Sequence, residues 1–222
     1  MELPKGFGAY VANIGIKDTT TDFVVVAAES VCPAAGVFTQ SRFSGPSVRV
    51  SRENIASQSA RAVVVISKNA NVATGEQGHT DAREILSEVA NHLGCDPSEV
   101  LLASTGVIGR MYPMDNVRAG IRQVPTSPSS RNVDAVARAI MTTDTIQKVA
   151  EATIEGSNAR IVGVAKGVDL PSPGTTGEVI RSLRAGVGLW PAQRAVLESR
   201  IQQSGTTHDA HVHLMGAGHP IP

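Results

Sequence analysis

Residues 62–66 read AVVVI and residues 24–28 read VVVAA. Both runs are rich in β-branched valine, which favours extended backbone. A strand with one face in water alternates apolar and polar side chains, whereas these runs are apolar at nearly every position. The sequence therefore predicts two central strands that other layers of the protein cover from both sides.

Further short apolar runs extend this pattern. We predict strands at Gly36–Thr39, Ser47–Val50 and Val100–Ala103. Two later runs, Val149–Ile154 and Arg160–Val164, lie on either side of the turn-forming residues EGSN at 155–158. Such an arrangement is typical of a β-hairpin.

Two segments have the periodicity of amphipathic helices. In the first, Asp81–Leu93, the apolar residues recur every three or four positions and form a single stripe. Thr80 is expected to be its N-cap and Gly94 its C′ residue. The second predicted helix covers about Asn132–Met141. Strands that alternate with such helices indicate an α/β fold.

Composition excludes several classes of function. The chain has 222 residues, equal numbers of acidic and basic side chains and only 3% aromatic residues. It therefore offers neither the basic surface nor the stacking aromatics that bind nucleic acid. No apolar run approaches the roughly 20 residues that span a bilayer, and we find no signal peptide. The two cysteines fit buried thiols, so we expect a cytoplasmic protein that binds neither membrane nor nucleic acid.

Six segments have an order and spacing that together are distinctive. They are LPKGF at 3–7, AGVFT at 35–39, NANVATGEQG at 69–78, ASTGVIG at 103–109, AIMTTDT at 139–145 and GVAKG at 163–167. In this order they resemble the ornithine acetyltransferase family, or glutamate N-acetyltransferases, of arginine biosynthesis. The resemblance covers residues 1–168, which we expect to form the α-chain-like domain. RFSGPS at 42–47 and the NANVATG variant are similar to paralogues in antibiotic gene clusters.

The resemblance implies a fold and a reaction. The fold would be a layered α/β sandwich of mixed sheets flanked by helices, of which residues 1–168 supply one half. Members of the family split their own chain before a threonine. The freed amine can then act as the base for the threonine hydroxyl, which carries acetyl from N-acetylornithine to glutamate. No metal and no cofactor is required.

The resemblance also assigns site residues. Thr105 and Gly106 match the family's oxyanion hole, and a hydroxyl beside a glycine amide suits that role because glycine allows close approach. Thr142 and Lys166 match positions that contact substrate, where a lysine can pair with a carboxylate. Taken alone, these residues would be interpreted as a tight turn with a capping threonine, a helix-end hydroxyl and a solvated lysine.

The family's nucleophile position is where this sequence departs from the pattern. That position holds Gly177, which has no side chain with which to attack. Thr176 lies one residue before it and Thr175 two, so one of these would have to act as the nucleophile after a shift of the loop. The family's second chain, with further substrate contacts, has no counterpart in the sequence.

Residues 169–222 have a different composition from the rest of the chain. Arg, Gly, Pro, Ser, Gln and His dominate, and the change begins inside a motif. A shifted reading frame would produce such a divergent or disordered tail, and the genomic DNA would test this hypothesis. His208, His211 and His213 have spacing similar to that of metal ligands, but no carboxylate or cysteine support, so we expect adventitious metal binding at most.

Two hypotheses follow from the sequence. In the first, the chain is an acyltransferase that uses N-acetylornithine and glutamate. In the second, it is a non-catalytic remnant, or a subunit that needs a separately encoded second half. Under either hypothesis we expect exposed surface where a second half would pack, and therefore oligomers or a partner chain.

Overall fold

The computed structural model describes residues 1–17, 19–39, 41–153 and 160–166. These residues form six strands and four α-helices, together with short 3₁₀ helices at Ile55–Ser57 and Pro97–Glu99. The strands are β1 (Phe7–Ala12), β2 (Phe23–Pro33), β3 (Ser59–Ile66), β4 (Val100–Ser104), β5 (Lys148–Thr153) and β6 (Arg160–Ala165). The helices are α1 (Pro46–Asn54), α2 (Gly75–Leu93), α3 (Met114–Ile121) and α4 (Val133–Ala139).

The main sheet has the strand order β1-β2-β3-β4. Strands β1, β2 and β3 pair antiparallel, and β3 pairs parallel to β4. The two valine-rich runs lie in β2 and β3, at the centre of this sheet, as the sequence predicts. Val24, Val25 and Val64 are completely buried, so both faces of the sheet are covered.

Helices α1, α2 and α3 cover one face of the main sheet. The apolar stripe of α2, including Ile85 and Val89, packs there against Val25 and Val64 in one continuous core. Burial of each such side chain stabilises the fold by roughly 1.5–3 kcal/mol. The predicted stripe of the first amphipathic helix is therefore confirmed as a core-facing surface.

The second face is covered by α4 and by a two-stranded sheet. Strands β5 and β6 pair antiparallel, and Val162 and Val164 of β6 join Val24, Val26 and the apolar side of α4 in a second core. The hairpin and the layered α/β sandwich that the sequence predicts are both confirmed. The residues that connect β5 to β6, 154–159, lie outside the described part of the chain.

One prediction of a strand is wrong at residues 47–50. These residues belong to helix α1, which begins after Gly45 with Pro46 in its first turn. A proline suits this position because it has no N–H to leave unpaired and its φ is already helical. Residues 36–39 form no strand either; their backbone has no regular structure.

The first amphipathic helix begins earlier than predicted. Helix α2 starts at Gly75 with Thr74 as its N-cap residue, and the Thr80 hydroxyl donates within the helix to the Glu76 carbonyl. The predicted end is confirmed, because Gly94 adopts the left-handed conformation with φ 66°. The second predicted helix is also confirmed as α4, whose N-cap Asn132 accepts from the Ala135 N–H.

The described residues contain no helix that is both long and apolar enough to cross a bilayer. Parallel pairing of β3 and β4 places their carboxyl ends at the same edge of the main sheet. The loops that leave this edge, 67–75 after β3 and 105–113 after β4, form one side of the candidate site. The segment before β5 and the end of β6 form the other.

Candidate functional site

The amine of Lys166 lies between two threonine hydroxyls. Its Nζ donates to Thr105 Oγ1 at 2.5 Å and to Thr142 Oγ1 at 3.0 Å. Lys166 and Thr105 are almost fully buried. The structure therefore brings together three of the residues that the sequence singles out, although they are far apart in the chain. Lys166 is not a solvated turn lysine.

These hydrogen bonds determine that each threonine hydroxyl acts as an acceptor toward Lys166. A lysine ammonium has donors and no acceptor, so both threonine oxygens must accept from it. Each hydroxyl hydrogen is thereby left to point elsewhere. Donation from a cation also polarises the O–H bond and makes it a stronger donor. The Thr105 hydroxyl accepts from Lys166, so its own hydrogen can be donated to another group.

Gly106 turns the chain sharply after Thr105. Its φ of +135° lies in a region that side chains rarely adopt. A Cβ built on Gly106 would lie 2.2 Å from the Lys68 carbonyl carbon and 2.6 Å from the Asn69 nitrogen. Only glycine fits here, because the two loops at the sheet edge are in direct backbone contact.

Backbone hydrogen bonds connect these two loops along their length. The Val107 N–H donates to the Lys68 carbonyl at 3.2 Å, and the Ala70 N–H donates to the Val107 carbonyl at 2.9 Å. Further along, the Gly109 N–H donates to the Val72 carbonyl at 2.7 Å. The loop after β3 thus holds the backbone of the Thr105–Gly106 turn in place through hydrogen bonds.

The loop after β3 contains an unusual cluster of left-handed residues. Lys68, Asn71 and Ala73 all have positive φ values between 49° and 75°. A non-glycine residue in this conformation is uncommon, and clusters of such residues occur where the surroundings determine the backbone. The side chain of Asn69 donates to the Met111 carbonyl in the loop after β4, and that of Asn71 donates to the Gly78 carbonyl in α2.

Thr142 is held by a buried ion pair that sequence reasoning missed. The Lys148 ammonium donates to Asp144 Oδ1 at 2.9 Å, and the two side chains are only 8% and 1% exposed. The other oxygen, Asp144 Oδ2, accepts from the Thr142 N–H at 3.3 Å. The Asp–Lys spacing of four was visible in the sequence, but nothing in it signalled the burial.

A second feature that the sequence did not reveal is a group of hydroxyls behind Thr105. The hydroxyl of Tyr112 hydrogen-bonds that of Ser104, which lies 2.6 Å from the Ser47 hydroxyl. Burial raises the pKa of Tyr112 to about 12, and hydrogen bonds from the two serines oppose that shift. Tyr112 is therefore a neutral phenol at physiological pH.

Apolar side chains are exposed close to the site. Val107 and Ile108 follow the Gly106 turn directly, and each is 44% exposed. Met111 in the same loop and Ile146 in the loop before β5 are also exposed. We call these four residues the apolar rim. Exposed apolar side chains on loops around a buried polar cluster are typical of surfaces that contact another molecule.

Other site predictions fall outside the structure's description. Thr175, Thr176, Gly177 and the histidines at 208, 211 and 213 all lie beyond residue 166. Within the described ranges no group of three or more His, Cys, Asp or Glu residues is placed to hold a metal ion.

The assembled groups suit one type of chemistry. A buried amine can pair with a carboxylate, and a polarised hydroxyl beside a glycine amide can donate to a developing oxyanion. Comparison with known proteins shows which family the chain resembles. The ArgJ family matches residues 8–176 of the chain.

Similar sequences come from several bacteria. The arginine biosynthesis bifunctional protein ArgJ 2 of Nostoc sp. is 46% identical over 170 residues, which are 77% of this chain and 43% of that protein. The glutamate N-acetyltransferase Oat2 of Streptomyces clavuligerus is 45% identical over 171 residues, again 77% of this chain and 43% of that protein. The chain thus spans less than half the length of these relatives.

Two crystal structures share the fold. The arginine biosynthesis bifunctional protein ArgJ of Bacillus halodurans has a TM-score of 0.70 at 30% identity, covering 78% of this chain and 96% of that one. Ornithine acetyltransferase of Mycobacterium tuberculosis, complexed with ornithine, has a TM-score of 0.68 at 31% identity, covering 77% and 93%.

Proposed function

Because the chain belongs to the ArgJ family, we propose that it provides the oxyanion-binding half of a glutamate N-acetyltransferase. The reaction is transfer of acetyl from N-acetylornithine to glutamate, in arginine biosynthesis or a related secondary pathway. We propose a cytoplasmic location for the reaction, with residues 1–168 as the functional domain and residues 169–222 as a divergent tail. The observation that supports the reaction best is the placement of Lys166 Nζ between Thr105 Oγ1 and Thr142 Oγ1.

In this proposal the oxyanion is stabilised by Thr105 and Gly106. A threonine hydroxyl attacks the acetyl carbonyl of N-acetylornithine, and negative charge develops on the carbonyl oxygen. The Thr105 hydroxyl and the Gly106 N–H donate to that oxygen. The intermediate then expels the ornithine amine, which takes up a proton, and leaves an acetyl ester on the nucleophile.

The second half-reaction reverses these steps with a different amine. The amino group of glutamate attacks the acetyl ester, loses a proton and restores the free threonine hydroxyl. Lys166 and Thr142 bind the amino-acid substrate in this proposal, since an amine beside a hydroxyl can hold a carboxylate. Bond making and bond breaking balance without a metal or a cofactor.

The nucleophile in this proposal is Thr176 or Thr175. Self-cleavage before either residue would free an N-terminal threonine, whose amine can act as the base. The released fragment would contain 47 residues if it began at Thr176 and 48 if it began at Thr175. Intact-mass measurement of the full chain after purification distinguishes these products from an uncut chain.

The second candidate function is that of a partner subunit. Here the chain binds a separately encoded second half, which supplies the nucleophile and the remaining substrate contacts. The apolar rim favours this arrangement, because Val107 and Ile108 leave about four tenths of their area in solvent next to the site. Binding of a second chain would cover this surface, in line with the oligomers or partner chain that we expect from the sequence.

The deciding experiment measures acetyl transfer by the full chain, alone and with the second half of a homologous enzyme. Transfer from N-acetylornithine to glutamate by the chain alone would support the first candidate, and transfer only in the mixture would support the second. Thr105→Val keeps the shape of the side chain but removes the hydroxyl, so we expect a loss of about 100-fold in kcat.

The matched control is Thr143→Val, since Thr143 is exposed and lies next to Thr142 in the chain. It should retain the wild-type rate. Absence of transfer both alone and in the mixture would contradict the proposed function. Equal losses for Thr105→Val and Thr143→Val would show that Thr105 has no part in the reaction.

A further inference from the structure

The Asn69 side chain ties the two loops at the sheet edge to each other. Its Nδ2 donates to the carbonyl oxygens of Arg110 and Met111, each at 3.1 Å, and its Oδ1 accepts from the Asn71 N–H at 2.8 Å. The residue is 1% exposed. Both amide hydrogens and the amide oxygen are therefore used, and they close the loop 105–111 at its far end.

The backbone of Asn69 closes the same loop at its near end. Asn69 forms bridges with both Thr105 and Val107, one on each side of Gly106. The Asn69 nitrogen also occupies the space that a side chain on residue 106 would need. One residue thus contacts the turn at its start through the main chain and at its end through the side chain.

We infer that Asn69 is a positioning residue for the Thr105–Gly106 oxyanion donors. This inference rests on the proposed function. Asn69 does not touch the reacting atoms; it fixes the loop whose first two residues donate to the oxyanion. A displacement of about 1 Å at such donors can lower a rate on the order of 100-fold.

An amide is required at residue 69 for a simple chemical reason. Aspartate has the same shape, but an ionised carboxylate only accepts hydrogen bonds. Asn69→Asp would place a negative oxygen against the carbonyl oxygens of Arg110 and Met111 and push the loop away. Asn69→Ala removes both hydrogen bonds to the Arg110 and Met111 carbonyls without this repulsion.

Asn71 offers a matched control in the same loop. Its Nδ2 donates to the Gly78 carbonyl at 3.0 Å, and its Oδ1 accepts from the Thr74 hydroxyl at 2.8 Å. These bonds lead to the first turn of α2 rather than to the loop 105–111. Asn71→Asp therefore introduces the same chemical change two residues away, with a different structural target.

The experiment compares Asn69→Asp, Asn69→Ala and Asn71→Asp in the full chain. Amide hydrogen exchange and the ¹H–¹⁵N resonance of Gly106 report the position of the turn directly. For both Asn69 variants we expect a shifted Gly106 resonance and faster exchange of the Val107 and Gly109 amides. For Asn71→Asp we expect changes confined to residues 71–78. An unchanged Gly106 resonance in both Asn69 variants would overturn the inference.

Kinetics separate positioning from general stability. In the active form of the protein, Asn69→Ala should lower kcat about 100-fold with less than about a twofold change in KM, whereas Asn71→Asp should leave kcat within about threefold of wild type. Equal losses of kcat for the two positions would overturn the inference. If the wild-type protein transfers no acetyl, the proposed function fails, while the resonance and exchange measurements still decide the role of Asn69.

Discussion

The two sides of the candidate site are held by different kinds of force. On the Thr105 side, neutral groups fix the backbone. They are the backbone hydrogen bonds between the two loops, the Asn69 side chain, and Gly106, which lies directly against the Lys68 backbone. On the Thr142 side, the charges of Asp144 and Lys148 fix a loop through a buried ion pair. The first side depends on shape and the second on electrostatics.

Lys166 connects these two sides. Its amine donates to one hydroxyl from each side. The geometry of the site therefore depends both on the close fit of the first side and on the charge balance of the second. Substitutions that disturb only one side can test this division.

The largest effect is expected for Gly106→Ala. The new Cβ would meet the Lys68 carbonyl carbon at 2.2 Å, and the residue would also be strained at φ +135°. We expect a loss of about 4 to 5 kcal/mol in the free energy of unfolding, measured by urea denaturation. Gly109→Ala is the control, because its φ is +74° but a Cβ there meets nothing within 4 Å. It should lose only about 1 kcal/mol, and equal losses would show that strain alone explains both.

Lys148→Met should have the next largest effect, on the other side of the site. It removes the ammonium group that pairs with the carboxylate of Asp144, whose side chain is only 1% exposed. Breaking a buried pair in this way costs about 3 to 4 kcal/mol, which urea denaturation would measure. Adding Asp144→Asn removes the negative charge as well, so the double variant should recover most of the loss. No recovery in the double variant would show that packing of the lysine stem, not charge, holds this side.

Tyr112 tests up to which pH the Thr105 side of the site remains uncharged. Its pKa is raised to about 12 from 10.0, so the folded state keeps the proton after the unfolded state has lost it. This contribution to stability is complete below pH 10 and is lost as pH rises from 10 through 12. It amounts to about 2 to 3 kcal/mol, and Tyr112→Phe should remove that part of the slope. Chemical denaturation from pH 9 to pH 12 measures it, and an identical slope in the variant would contradict the assignment.

The smallest effect is expected for an ion pair on the surface. Arg118 binds Glu84 at 2.5 and 3.1 Å, and hydrogen bonding to this arginine lowers the pKa of Glu84. Both side chains are about one-third exposed or more, so Glu84→Gln should cost less than about 1 kcal/mol. The contribution is present above the unfolded pKa and disappears as pH falls through the folded one. A loss as large as that of Lys148→Met would contradict the distinction between buried and exposed charge.

Much of the fold was predictable from local pattern. The valine-rich runs and the stripe of α2 are apolar where the protein is buried, so they identify β2, β3 and the main helix. The strand predicted at residues 47–50 was wrong. Valine favours strands, but Pro46 and packing against β4 select a helix there. Strand β1 and helix α3 were not predicted; β1 is partly exposed and α3 has only eight residues.

Prediction of the site depended on motifs rather than on periodicity. Thr105, Thr142 and Lys166 were identified because each lies in a segment that resembles one family, and the structure brings them together. The Asp144–Lys148 pair and the hydroxyls around Tyr112 were missed because their importance comes from burial, which tertiary packing creates. Asn69 could be recognised in the sequence as a loop asparagine, but the carbonyls to which its side chain donates lie about 40 residues away in the chain.

The position of Lys166 at the end of β6 also affects the order in which the protein folds. Thr105 belongs to the main sheet, and the amine that reaches it comes from a hairpin 61 residues later in the chain. Contacts of such long range form slowly because a large loop must close first. The contact between Lys166 and Thr105 should therefore form only when the hairpin docks, after the secondary structure is already in place.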